Sequence, residues 1–243
     1  VLVYIFFSSA IFGNGFYVSD NLASKSFETY VKNAESNGVF PQWIPYIFSG
    51  MPSFAAMLTT GARAWAFLQS IFFNIIGFFG LLFGSDVARL AMYYIIYGIG
   101  IYILMRTKNH ERFVAFFTSV AAVFSTSVIV WIMIGHNTKP VVFAMFPFVI
   151  LLLEQLRHKF SILNTVLLII VVHIMMEAGH VQMIFYGIMT FALYLIFEFV
   201  SRLISKRKPL KVIRAAGLLV LAGGIAFIMS SDRYLSTMEY TPY

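Results

Sequence analysis

Residues 181–214 read VQMIFYGIMTFALYLIFEFVSRLISKRKPLKVIR, an apolar run over 181–201 followed by six basic residues, Arg202, Lys206, Arg207, Lys208, Lys211 and Arg214. A helix of about 20 apolar residues is long enough to cross the ~30 Å hydrocarbon core of a bilayer. Short loops rich in Lys and Arg are retained in the cytoplasm. The stretch therefore reads as a transmembrane helix with its cytoplasmic flank. Comparable apolar segments lie at 1–13, 64–84, 87–105, 113–135, 140–156, 161–176 and 212–230, and two further basic clusters, Arg106/Lys108/Arg112 and Arg157/Lys159, punctuate them. The three basic clusters sit two helices apart, as one consistent topology requires.

Placing those clusters inside puts 136–139, 177–180 and 231–243 outside, and the loop 14–63 with them. Segment 64–84 then begins and ends on the same side. It is expected to lie in the interface or to re-enter without crossing, which Asn74, Gly77 and Gly80 permit. The expected fold is all-α: a polytopic transmembrane helical bundle with about seven crossing helices, one interfacial or re-entrant helix and a long first external loop. Residues 1–243 read as a single transmembrane domain. Val1 stands where a Met would start a chain, and the run Val1 to Gly13 is too short to cross a bilayer unaided, so the expectation is a piece of a longer protein, cut at both ends.

Composition agrees with a membrane chain. The 243 residues are 60% hydrophobic with a mean hydropathy of +0.85. The net charge of +7 does not point to nucleic acid, because 11 of the 17 Lys and Arg residues fall in the three clusters that cytoplasmic retention explains. No cysteine is present, so disulfides and thiolate metal sites are excluded. HExxH, Walker-type and GxGxxG motifs are missing, and no GxSxG points to a serine hydrolase.

The loop from Asn14 to Arg63 is too long for a plain connection. Within it, Asn21 to Asn37 is compatible with a helix started by Ser19 or Asp20 and stopped at Asn37-Gly38. Phe27, Tyr30, Val31 and Ala34 would share its apolar face, opposite Lys25, Glu28, Lys32 and Glu35. Pro41-Gln42-Trp43-Ile44-Pro45 and Gly50-Met51-Pro52 then read as a membrane-seated loop, in which Trp43 and Tyr46 can stack on a sugar.

The polar residues that can carry chemistry gather on the outer side: Asp20, His136 to Lys139, Glu177 to Gln182, and Asp232 to Glu239. Asp20 can act as a general base, bind a metal or cap a helix. In Gly135-His136-Asn137-Thr138-Lys139-Pro140 an imidazole and an ammonium sit together in a turn and can hold a phosphate, or the turn is a solvated link with Pro140 opening the next helix. His180 can donate to the same phosphate, and Gln182 and Tyr186 share one face of the next helix. The alternative there is a capped turn whose polar groups satisfy each other. His173 reads as a packing residue, and Asp86 and Arg89 as an ion pair.

Asp20, the run Trp43-Ile-Pro-Tyr-Ile-Phe-Ser-Gly-Met-Pro52, Gly135-His-Asn-Thr-Lys139 and Gly179-His-Val-Gln-Met-Ile-Phe-Tyr186, taken in order and spacing, resemble the N-terminal part of YfhO-type bacterial membrane proteins. Those proteins are similar to GT-C glycosyltransferases, which take a sugar from a polyprenyl-phosphate carrier on the outer side of the membrane. The resemblance implies a GT-C-like fold in the bacterial cytoplasmic membrane, an extracytoplasmic site, a lipid-linked sugar donor and a glycan or lipid acceptor. It places Asp20 where those enzymes carry a catalytic acid on the first external loop, although the second acid found nearby in many of them has no counterpart here. His136, Lys139 and His180 are candidates for the carrier phosphate by their chemistry. The cofactor is left unknown, with a divalent metal able to supply part of the same positive charge. A transporter or flippase for a lipid-linked saccharide, or a non-catalytic protein of envelope assembly, is the alternative expectation.

Overall fold

Where the chain is apolar it is helical, and where the basic and His-bearing turns interrupt it the helices reverse. The computed structural model describes residues 1–13, 28–39, 41–46, 49–53 and 66–240. Two short helices, α1 (Leu2–Phe6) and α2 (Ser8–Phe12), are followed by α3 (Glu28–Ser36) and a two-stranded hairpin, β1 (Trp43–Ile44) with β2 (Met51–Pro52). The bundle proper is α4 (Ala66–Phe83), α5 (Asp86–Thr107), α6 (Arg112–Val123), α7 (Thr126–Met133), α8 (Lys139–His158), α9 (Ile162–Glu177), α10 (Val181–Ile204), α11 (Leu210–Met229) and α12 (Ser231–Tyr240).

Four of these helices, α5, α8, α10 and α11, are long and apolar enough to cross a membrane, and the bent pair α6–α7 makes a fifth if it is one span. The protein is thus a helical, membrane-embedded bundle. The expected single segment 113–135 is corrected: it breaks between Val123 and Thr126 with a bend of 41°. At the break the Ser125 hydroxyl donates to the Ala122 carbonyl at 3.0 Å, and the Tyr94 hydroxyl of α5 donates to the Val128 carbonyl at 2.9 Å. Side chains thus supply backbone partners where the helical ladder is interrupted.

Helix α8 is the axis of the bundle. Of its spanning window 72% is buried, against 22% for α10 and for α11, which therefore present most of their surface outward. Lipid tails are as apolar as a leucine side chain, so helices in a membrane gain little by hiding apolar surface and associate through close packing instead. Small residues permit that approach here. A Cβ on Gly100 of α5 would come within 2.9 Å of Pro147 of α8, and one on Gly98 within 2.9 Å of Val123 of α6. Close contact at Gly98 also lets the Ser119 hydroxyl reach its carbonyl at 2.7 Å.

Helix α4 forms a hairpin with α5 through Gly84, which turns the chain with φ +58°. Gly80 faces Arg89, and the ring of Phe72 lies 6.3 Å from that of Tyr93. The apolar part of α4 within the described residues, Ile71–Phe83, is shorter than a spanning helix. The expected pair Asp86 and Arg89 is present at 3.4 Å.

The described part of the long loop carries one element foreseen from its sequence and one that was not. Helix α3 ends as Asn37-Gly38 suggests: Gly38 adopts φ +71°, its N–H donates to Glu35, and Val39 N–H reaches back to Ala34. That is a Schellman stop, which needs a left-handed residue and so suits glycine. Tyr30, Val31 and Ala34 are its less exposed residues, and Lys32 bridges Glu28 at 2.5 Å on the other side. The two-residue strands β1 and β2 are a local hairpin in an otherwise all-α chain. Trp43 pairs with Pro52 and Ile44 with Met51, and Ile44 is fully buried.

Candidate functional site

Two helix ends of the same design build the site. Helix α7 closes at Gly135, with φ +85°, and His136 follows it; helix α9 closes at Gly179, with φ +71°, and His180 follows that. In each case glycine takes the left-handed conformation that turns the chain back at a helix C-terminus. The next residue, a histidine both times, is delivered to the mouth of the bundle. The two imidazoles stand 6.5 Å apart, centre to centre, at an interplanar angle of 80°. They are too far apart to bond each other directly and meet edge to face.

Lys139 is the first residue of α8, one position ahead of Pro140 in the first turn. Its ammonium makes no ion pair among the described residues. Helices α8 and α10 both begin here, so the positive ends of two helix dipoles add to the ammonium. His180 is the N-cap of α10: its Nδ1 accepts the Met183 backbone N–H at 3.3 Å. With Nδ1 accepting, the neutral ring carries its proton on Nε2, which can donate. Burial holds the His180 imidazolium below the usual histidine range, and the nearby charges of Lys139 and then His136 push in the same direction. His180 thus meets both of its expected readings, capping the turn with one nitrogen and keeping the other as a donor.

Gln182 and Tyr186 bond to each other, the amide nitrogen donating to the phenol oxygen at 2.8 Å one turn below His180. His173 is a packing residue as expected, fully buried, with Nδ1 3.1 Å from the Ser230 hydroxyl. Glu177 closes α9 and is buried, and the Tyr234 hydroxyl of α12 donates to the Met176 carbonyl at 2.6 Å, folding α12 back over that end. Trp43 and Tyr46 are not brought to the histidines by any described contact: the Trp43 indole packs on Gly50, and the Tyr46 ring meets Tyr30 at 5.5 Å. Asp20 lies outside the described residues. Among the described residues no three His, Asp or Glu side chains converge as metal ligands.

At the opposite end of the bundle is a cluster that sequence reading missed. Glu154, 2% exposed, accepts from Lys108, from the Tyr194 hydroxyl and from Arg157, and Arg157 also donates to Glu198. Lys108 reaches Tyr194 as well, 3.4 Å from its hydroxyl. Arg214 of α11 donates at 2.7 Å to the Leu156 carbonyl, one of the orphan acceptors where α8 ends. The available signal was the presence of two acids, Glu154 and Glu198, inside apolar segments, where an ionisable residue is costly and either paired or functional.

The fold defines a membrane-embedded helical bundle with two imidazoles and one ammonium near each other at one end. Comparison of the chain with family models, curated proteins and solved structures finds no match in any of the three.

Proposed function

We propose that the protein is a GT-C-like membrane glycosyltransferase of the bacterial cytoplasmic membrane, transferring a sugar from a polyprenyl-phosphate donor to an envelope glycan or lipid on the extracytoplasmic side. The observation that carries this reading is the proximity of His136, Lys139 and His180 at one end of the bundle, where α8 and α10 begin. Such a group suits a phosphate that gains charge as it leaves. In the proposed step the acceptor hydroxyl oxygen attacks the anomeric carbon and gives its proton to the Asp20 carboxylate. The carbon–oxygen bond to phosphate breaks, and the electron pair leaves with the lipid phosphate. Lys139 offsets that charge, while His180, neutral at pH 7, donates from Nε2.

The basic loops set the proposed orientation, with 106–112, 157–159 and 202–214 in the cytoplasm and about seven crossings in all. The chain has no cysteine, so single introduced cysteines report sidedness cleanly. An impermeant maleimide added to intact cells should label Asn137→Cys and spare Lys206→Cys; the reverse pattern sinks the orientation. Activity is tested by sugar transfer in membranes carrying the full-length protein. General-base catalysis contributes about 10²–10⁴-fold, so Asp20→Asn should lose that much at matched expression, and Lys139→Ala about 10²-fold. Unchanged transfer in Asp20→Asn reduces Asp20 to a helix cap.

A transporter or flippase of lipid-linked saccharides is the second reading, and the broken span α6–α7 favours it, since interrupted helices line many transport paths. Translocation of a labelled lipid-linked sugar in proteoliposomes without sugar transfer would select it.

A further inference from the structure

The turn between α10 and α11 gathers more uncompensated charge than any other among the described residues. Arg202, Lys206, Arg207, Lys208 and Lys211 make no side-chain hydrogen bond or ion pair among those residues, and the Nε of Arg202 is buried without a partner. Arg214 alone is engaged, on the carbonyls that end α8. The other two basic clusters differ. Lys108 and Arg157 pair with Glu154, and Arg106 donates to the His110 carbonyl at 2.6 Å. Retention of basic loops acts on all three clusters alike, so it does not explain why one of them is left unpaired.

The backbone of the same turn is strained. Helix α10 closes in a Schellman turn, in which the Arg207 N–H donates to the Arg202 carbonyl at 2.8 Å and the Lys206 N–H to that of Leu203 at 3.0 Å. The residue in the left-handed position is Lys206, with φ +53°. The other helix reversals that use this conformation place Gly84, Asn109, Gly135 or Gly179 there, and glycine and asparagine adopt it at lower cost. A lysine held where glycine would serve the fold better points to a role for its side chain.

What these cations meet is decided by their surroundings. The turn joins the two helices that present most of their surface outward, and only residues 205–209 separate them, too short a link to lift the charges off the membrane. Apolar side chains are interleaved with the charges: Leu203, Ile204, Leu210 and Ile213 are all exposed, Ile204 at 78% and Leu210 at 70%. An acidic protein or a nucleic acid would leave them in water. A phospholipid offers phosphate to the cations and hydrocarbon to the apolar residues at one depth. We infer that the α10–α11 turn is a binding site for an anionic phospholipid, with the phosphate at Arg202 and Lys206, four residues apart, and Arg207, Lys208 and Lys211 around it. The inference is independent of the sugar chemistry and of the side on which the turn lies.

The test uses the full-length protein in bilayers that mix phosphatidylglycerol and phosphatidylcholine. The chain has no cysteine, so a bimane on Ser205→Cys reports on this turn alone. Quenching by brominated forms of each lipid gives their relative affinity. Phosphatidylglycerol should be preferred about tenfold or more, and less so in high salt. One basic residue near an anionic surface is worth about fivefold, so Arg202→Gln should lower the preference by that factor. It leaves five Lys and Arg residues in 202–214 for retention. Lys206→Gly relieves the backbone: its melting temperature in phosphatidylcholine should equal or exceed that of the wild type, while its preference for phosphatidylglycerol falls. Arg112→Gln, in the α5–α6 turn, should leave the preference unchanged. Equal quenching by the two lipids in the wild type, a preference that survives both Arg202→Gln and Lys206→Gly, or one lowered as much by Arg112→Gln overturns the inference. So does displacement of phosphatidylglycerol by poly-glutamate or an oligonucleotide. Lipid preference is read without sugar transfer, so a protein that shows the preference and transfers no sugar leaves the inference standing.

Discussion

The two ends of the bundle treat charge in opposite ways. Around Glu154, four ionised side chains, Lys108, Arg157, Glu154 and Glu198, are joined in ion pairs, two positive and two negative. They come from the α5–α6 turn, α8 and α10, so the cluster ties these elements together. At the other end Lys139 has no ion pair among the described residues, and His180 keeps one nitrogen as a donor. Charges that neutralise one another are explained by holding the fold. An ammonium brought beside two imidazoles and the N-termini of α8 and α10, with no ion pair of its own among the described residues, is better explained by a ligand.

The largest test of this contrast is to remove one charge at each end. Glu154→Ala leaves Arg157 and Lys108 facing a buried site without its central anion. Breaking a buried pair in this way costs about 3–5 kcal/mol, so the variant should melt well below the wild type in detergent or fail to accumulate. Lys139→Ala should change stability by less than about 0.5 kcal/mol while losing transfer and lipid-phosphate binding. Equal melting of Glu154→Ala and wild type would show the network to be dispensable for the fold and would leave it open to a functional role. A large drop for Lys139→Ala would move the other end into the structural category too.

Sequence alone went furthest where the chemistry is local. The stop at Asn37-Gly38, the Gln182–Tyr186 pair and the Asp86–Arg89 pair each depend on residues within one turn, and each is present, while the helix expected to open at Pro140 opens one residue earlier at Lys139. Charge parity also placed His136 and His180 at a common end, which the 6.5 Å ring separation extends to direct proximity. The break between α6 and α7 was hidden because hydropathy runs unbroken through Phe124-Ser125, while the partner that stabilises it, Tyr94, is 34 residues distant from Val128. Glu154, Tyr194 and Glu198 escaped for the same reason. Glu154 and Tyr194 are 40 residues apart, and nothing in either segment alone says they will meet. The seven crossings expected from the sequence contrast with the four helices that reach spanning length, because α9 has 16 residues and α1 and α2 have five each.

The smallest expected effect is the pH dependence of the histidine end. His180 caps α10 only while Nδ1 is free to accept from Met183, so protonation removes the cap and adds a charge beside Lys139. Burial and those neighbours lower its folded-state pKa below the unfolded value of about 6.5. At pH values below that figure the unfolded chain therefore binds the proton more readily than the folded one, and stability attributable to His180 is complete above pH ~6.5 and declines as the pH falls through it. His180→Asn keeps a capping oxygen that does not titrate. Its melting temperature should follow that of the wild type above neutrality and fall less steeply as the pH drops below ~6.5. Parallel curves for the two proteins would mean that His180 is protonated as easily in the folded state as in the unfolded chain. At an ordinary pKa of about 6.5 the ring would then carry a charge in part of the molecules near neutrality, and the leaving phosphate would meet a second charge only in that fraction.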